Sequence, residues 1–195
     1  SGWVVANPHS QFFPHVILRL ADATGNDANA YLPLLHWITY GVAAANMGLL
    51  FLVQRVRLRD ADLWSFQLLF LTIPLILKTS WPHDFVFLPF TQALLAWRLL
   101  EGEKAAPGTD TSGKRSHAST WRERDLRVRA AVSFFLLLVS IVLSNIVFFN
   151  LFGSFPRYGF FGFLFWADLL LLAASYAILL PSALQWLCGT DVKGE

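Results

Sequence analysis

Residues 78–84, with the sequence KTSWPHD, gather polar and charged side chains between two apolar runs. Lys78 and His83 supply hydrogen-bond donors and positive charge, which suit a phosphate group. Pro82 is typical of the first turn of a helix, where free backbone N–H groups and the helix dipole also favour an anion. The sequence therefore predicts a phosphate-binding corner at this bend. Its candidate substrate-binding residues are Lys78, Ser80, Trp81, His83 and Asp84.

Other chemistries are not indicated. Ser80, His83 and Asp84 crowd into one turn, and the chain has no GxSxG motif, so a hydrolase triad is not predicted. The single cysteine, Cys188, excludes an internal disulfide, and no zinc-ligand spacing occurs. We expect no metal. A net charge of only +2 argues against a nucleic-acid partner.

The elements that must position this bend are apolar. The chain is 55% hydrophobic and 14% charged, and its mean hydropathy is +0.50, which is typical of a polytopic membrane protein. The apolar segments are Tyr31–Val53, Leu63–Leu77, Phe85–Leu100, Ala130–Phe152 and Gly159–Leu187. The predicted fold is all-α, an integral membrane protein of about five transmembrane helices plus a short outer amphipathic helix.

The second and third segments are each too short for a full crossing of about 20 residues. They can form one hairpin that dips into the bilayer, or two crossings that recruit flanking polar residues. The distribution of positive charge favours two crossings, because a shallow hairpin entering from the cytoplasm would bury Lys78 without water.

Positive charge also predicts the topology. Twelve of the 15 lysines and arginines fall on one side of the five-span arrangement, and this side is assigned to the cytoplasm. The cytoplasmic ranges are 54–62, 101–129 and 188–195. The outer ranges are 1–30, 78–84 and 153–158. Residues 31–100 then carry three spans and 130–187 carry two. The basic stretch 101–129 is predicted to be a disordered linker, and residues 188–195 are predicted to form a cytoplasmic tail.

Residues 10–22 predict a short helix on the outer membrane surface. Ser10 is a candidate N-cap, and Pro14 suits the first turn. Phe13, Val16 and neighbouring apolar residues fall on one helical face, whereas His15 and Arg19 fall on another. Both polar residues are candidate contacts to a phosphate or sugar.

The candidate functional polar residues within the predicted spans are Asp168, His36 and Asn145. Asp168 has the highest free-energy cost of placement in a membrane, and an intramembrane carboxylate usually faces a cavity or a partner. The alternative is a packing role in which Asp168 shares hydrogen bonds with Asn145 or a serine. His36 lies early in the first span, where an interface position is the alternative to a functional one.

The bend, quoted as SWPHDFVFLP (80–89), resembles the Ser-Trp-x-His stretch in the C-terminal half of membrane glycosyltransferases of family 87. That family belongs to the C-type superfamily, which uses polyprenyl-phosphate-linked sugars. NPHSQFFPHVILRL (7–20) is more loosely similar to the family's outer segment. The resemblance covers roughly residues 5–100.

The resemblance implies a hexosyltransferase of the bacterial plasma membrane, with residues 1–30 outside and the C-terminus in the cytoplasm. The donor would be a polyprenyl phosphate sugar, often mannose, and the acceptor a lipid-linked glycan or glycolipid at the outer face. No cofactor is implied. His83 would contact the donor phosphate.

The catalytic base of the family is an Asp in an early outer loop. Because this chain starts without a methionine and has no such loop, we expect a fragment whose base lies upstream of Ser1. Two alternative hypotheses remain. One is a transporter or flippase in which Asp168 and His36 line a translocation path, and the other is a non-catalytic membrane scaffold.

Overall fold

The computed structural model describes residues 10–27, 29–56, 60–78, 85–104, 117–145 and 155–187, and their regular structure is helical. A single 3₁₀ turn, Asn29–Tyr31, precedes the longest apolar helix of the N-terminal half. The α-helices are α1 (Phe13–Ala23), α2 (Leu32–Val56), α3 (Ala61–Ile76), α4 (Leu88–Lys104), α5 (His117–Ser144), α6 (Phe155–Phe161) and α7 (Phe163–Leu187).

Three of the described helical stretches are long and apolar enough to cross a membrane: Asn29–Val56, Arg124–Ser144 and Phe163–Pro181. The helix α3 is apolar but shorter. The predicted all-helical fold is therefore confirmed for the described residues, and three of their helical stretches are candidate membrane spans. The count of about five spans stays a prediction, because α3 and α4, with 16 and 17 residues, are shorter than the three candidate spans.

Neighbouring helices pack antiparallel, as paired hydrogen bonds reveal. Asn46 of α2 donates to Thr72 of α3 over 3.1 Å, while Gln54, further along α2, donates to Ser65, nearer the start of α3. The pair α5 and α7 runs antiparallel as well. The core between the helices is built from fully buried leucines and aromatic residues, including Leu68, Leu71, Leu95, Leu137, Phe165 and Leu171.

One end of the bundle, called the α1 end below, collects α1, the start of α2, the end of α3, α6 and the start of α7. An apolar cavity of about 140 Å³ lies among them, lined in part by Phe13, Thr39, Leu75 and Phe165. At the opposite end, Arg98 of α4 forms an ion pair with Asp60 beside α3. The described parts of the predicted outer segments therefore meet at one end of the bundle.

Several element boundaries differ from those predicted. The fifth apolar segment is broken at Gly162, where the backbone has a φ of +69°, and Pro181 lies inside α7. Part of the predicted disordered linker is helical, because α4 extends to Lys104 and α5 begins at His117. The ion pair between Asp125 and Arg129, which are one helical turn apart (i, i+4), supports this extension of α5.

Candidate functional site

Lys78, the one candidate residue of the predicted phosphate-binding corner that lies within the described residues, is at the α1 end of the bundle. Lys78 follows α3 by two residues, and its side chain is exposed. The remaining candidates of the bend, Ser80, Trp81, His83 and Asp84, lie outside the described residues.

Aromatic packing fixes the two helices that flank the bend. Phe70 of α3 stacks on Phe87 with ring centroids 5.5 Å apart, and it meets Phe90 of α4 edge-on at 6.4 Å. Phe85, the first described residue after the bend, is buried. Because stacked and edge-on aromatic pairs restrain relative orientation, α3 and α4 hold the ends of the bend close together.

The helix α1 begins differently from the prediction. Phe12, not Ser10, is its N-cap, and Phe12 makes no side-chain cap. The hydroxyl of Ser10 instead forms a 2.8 Å hydrogen bond with Nδ1 of His15. Pro14 does lie in the first turn, as predicted.

The polar face of α1 is buried rather than exposed. His15 and Arg19 expose only 7% and 4% of their surface. Arg19 Nη2 donates to the carbonyl oxygen of Ser10 over 2.7 Å, and its Nε donates to the carbonyl oxygen of Phe160 over 3.4 Å. These bonds satisfy the buried guanidinium, so α1 packs against α6 through its polar face as well as through its apolar one.

Side chains from other elements cap the C-terminal end of α6. The carbonyl oxygen of Gly159 accepts a 3.0 Å hydrogen bond from the Gln11 amide, and that of Phe161 accepts one of 3.0 Å from the Trp166 indole. Arg19 adds positive charge near the negative end of the helix dipole. The C-terminal end of the short helix α6 is therefore stabilised by side chains of residues outside α6.

Burial changes the acid–base properties of this corner. It lowers the pKa of His15 to about 4, and the nearby charges of Arg19 and His36 act in the same direction. Burial also lowers the pKa of Arg19 to about 10, which still leaves the guanidinium charged at neutral pH. His15 is thus neutral and Arg19 is cationic under ordinary conditions.

His36 joins the same corner. Its Nδ1 lies 2.8 Å from the carbonyl oxygen of Leu32, and its ring centroid is 5.6 Å from that of Phe12. The ring of His15 contacts Phe12 from another side, with centroids 5.1 Å apart. Phe12 therefore brings together two histidines that the sequence assigned to different elements.

The chain matches no family model, no curated protein and no solved structure.

Asp168 lies in α7 and is fully buried, and neither of its carboxyl oxygens has a hydrogen-bond partner among the described residues. The predicted alternative was a packing role with Asn145 or a serine. Asn145 is exposed at the end of α5, and the Ser140 hydroxyl donates to the carbonyl oxygen of Ala167 instead. Within the described residues, Asp168 therefore shares no hydrogen bond with Asn145 or a serine.

Three buried amides join the helices, and the sequence analysis missed all of them. Gln67 of α3 donates to Ser175 of α7 over 2.6 Å, and Gln92 of α4 donates to Ser144 of α5 over 2.8 Å. Asn46, which donates to α3, is the third. The available signal was a lone amide within each apolar run, since such groups need a partner in the bundle interior.

No cluster of three or more His, Cys, Asp or Glu that could hold a metal ion occurs in the described part of the chain. At the α1 end, Lys78 and Arg157 are exposed cations, whereas Arg19 is committed to backbone carbonyls. Anion binding by exposed groups is the chemistry that this end of the bundle can perform.

Proposed function

We propose that this chain is the C-terminal part of an integral membrane glycosyltransferase. It would move a hexose, mannose by the family resemblance, from a polyprenyl phosphate donor to a lipid-linked or envelope glycan acceptor. The reaction would take place at the outer face of the bacterial plasma membrane. The observation that carries the proposal is the Ser-Trp-x-His motif at residues 80–83, placed between two apolar helices.

The fold supports this proposal in one respect. Lys78 is exposed immediately after α3, and α1 and α6 lie at the same end of the bundle. A lipid phosphate can approach such an end from the headgroup region, where a lysine can extend to meet it.

Transfer from a sugar phosphate requires a base for the acceptor hydroxyl and stabilisation of the departing phosphate. In our proposal the bend supplies the second requirement. His83 and Lys78 bind the phosphate, Ser80 adds a hydrogen bond, and Trp81 and Asp84 complete the pocket. The base comes from outside the residues assigned here. His15 and Arg19 position α1 through their buried hydrogen bonds.

The test is sugar transfer by the complete gene product in isolated membranes, with a radiolabelled polyprenyl phosphate sugar as donor. His83→Ala should lower transfer at least tenfold at unchanged expression, because one phosphate contact to a charged group contributes about 1.5–3 kcal/mol. Lys78→Gln should raise the KM for the donor. His117→Ala, in the helix predicted to face the cytoplasm, is the control. Full activity of the His83 variant would overturn the phosphate role.

A transporter is the second candidate, and the unpartnered carboxyl of Asp168 favours it. Uptake of labelled candidate solutes into cells would then be abolished by Asp168→Asn and unaffected by His83→Ala. The opposite pattern, with sugar transfer lost only in the His83 variant, supports the glycosyltransferase.

A further inference from the structure

The carboxyl group of Asp168 occupies an apolar part of the bundle interior. Asp168 lies in the second turn of α7, which begins at Phe163, and its side chain has no exposed surface. The residues one helical turn before and after it are also buried: Leu164, Phe165, Leu171 and Leu172. Neither carboxyl oxygen finds a donor among the described residues.

No described cation neutralises this carboxyl group. Arg98 of α4 pairs with Asp60 and Glu101, and Arg129 of α5 pairs with Asp125. These pairs lie at the end of the bundle opposite to the first turns of α7. On α3, the acidic residue Asp62 accepts a hydrogen bond from Gln54 at that same far end.

None of the described titratable groups at the α1 end forms a hydrogen bond with this carboxyl group. His15 bonds to Ser10, and Arg19 donates to backbone carbonyls of Ser10 and α6. On α2, His36 bonds to the Leu32 carbonyl and Tyr40 is exposed. On α6, the Tyr158 hydroxyl donates to the carbonyl oxygen of Leu143, and Arg157 is exposed.

The neighbouring polar side chains of the interior are also committed. Ser175 lies seven residues after Asp168, hence on the same face of α7, and it accepts from Gln67. Ser140 accepts from Gln92 and donates to the Ala167 carbonyl, which adjoins Asp168 along the chain. These hydroxyls and amides form a row of hydrogen-bonded polar groups along α7, yet no hydrogen bond links them to the carboxyl group of Asp168.

An ionised carboxylate in such surroundings would be unpaired and unsolvated, which costs several kcal/mol or more. We propose that Asp168 is a proton-binding site in the bundle interior. It holds a neutral carboxylic acid in this packing arrangement, and it releases the proton only when water or a cation enters beside α7. The proposal is independent of glycosyl transfer and of solute transport, since it concerns only the resting protein.

The test is infrared spectroscopy of the full chain in lipid nanodiscs at pH 7. The wild-type protein should show the carbonyl stretch of a protonated carboxylic acid, and Asp168→Asn should lose that band. Asp125→Asn removes an exposed, ion-paired carboxylate and is the matched control, which should keep the band. If the Asp168→Asn spectrum has lost no carbonyl band relative to the wild-type spectrum, the proposal is overturned.

Two further measurements distinguish a proton bound to Asp168 from a bound metal cation or an ion-paired carboxylate. Asp168→Asn should leave the thermal unfolding midpoint unchanged or higher, because an amide resembles a neutral acid. A marked loss of stability would indicate an ionised, paired Asp168 and contradict the proposal. Addition of sodium or potassium chloride should not remove the infrared band. Its removal by one of these ions would instead identify a metal-cation site.

Discussion

At the scale of single residues, Gly162 allows the chain to turn from α6 into α7. Its φ of +69° is in the left-handed region, and a Cβ built there would lie 2.7 Å from both methyl groups of Val16. The turn thus needs glycine for two reasons, the backbone conformation and the close approach of α1. The same contact seats α1 on the junction between the two helices.

Gly162→Ala should lower the free energy of unfolding by about 2–4 kcal/mol, through backbone strain and the contact with Val16. Gly25→Ala is the matched control, because Gly25 also has a positive φ, +76°, but has open space around it. Its cost should be about 1 kcal/mol. Denaturant titration of the purified protein measures both. Equal losses would show that the Val16 contact contributes nothing.

His15 should make stability depend on pH. Its pKa in the folded protein is about 4, below the value of about 6.5 in an unfolded chain. The unfolded state therefore binds more protons between these values, so the contribution of His15 is fully present above pH 6.5 and is lost as the pH falls through 4.

Relative to His15→Asn, wild type should lose about 3 kcal/mol of unfolding free energy between pH 7 and pH 4. Comparison of the two proteins at each pH cancels the carboxylates that they share. A constant difference across this range would contradict the assignment of a neutral, buried His15.

At the scale of elements, α5 and α7 pack through small residues spaced by seven. The hydroxyls of Ser133 and Ser140 donate to the carbonyl oxygens of Ala174 and Ala167. Both alanines are fully buried, and these short side chains allow the two helices to approach closely. Close approach of helices through small residues is typical of proteins that fold in lipid.

Ala174→Leu should destabilise the protein by about 1–3 kcal/mol, because the added side chain meets the backbone of α5. Ala173→Leu makes the same substitution at the neighbouring, exposed alanine. It should change the free energy of unfolding by less than about 0.5 kcal/mol. The measurement is thermal unfolding in detergent, followed by circular dichroism. A similar loss in both variants would indicate an effect on helix formation rather than on packing.

Sequence patterns predicted the apolar helices well, because hydropathy along each segment is a local property. The described starts of α2 and α3 lie within two residues of the predicted segments. The break at Gly162 was missed because it depends on α1, which lies over 140 residues away in sequence. Burial of His15 and Arg19 was missed for the same reason, since the carbonyls that satisfy Arg19 come partly from α6.

At the scale of the whole molecule, the bundle separates two chemically different ends. The α1 end combines a neutral His15, a committed Arg19 and the exposed Lys78. The opposite end carries the ion pair of Arg98 with Asp60 and, along α5, exposed arginines. Such an excess of arginine at one end is the pattern that the positive-inside rule associates with the cytoplasm.

This arrangement predicts that Lys78 and Arg124 lie on opposite sides of the membrane. In a Cys188→Ser background, Lys78→Cys should react with a membrane-impermeant maleimide added to right-side-out vesicles. Arg124→Cys should react only in inverted vesicles. Both side chains are exposed, so reagent access is decided by the membrane rather than by packing. If α3 and α4 form a hairpin entered from the cytoplasm, Lys78→Cys will not react from outside. That result would remove the predicted phosphate corner from the outer face, since Lys78 adjoins it.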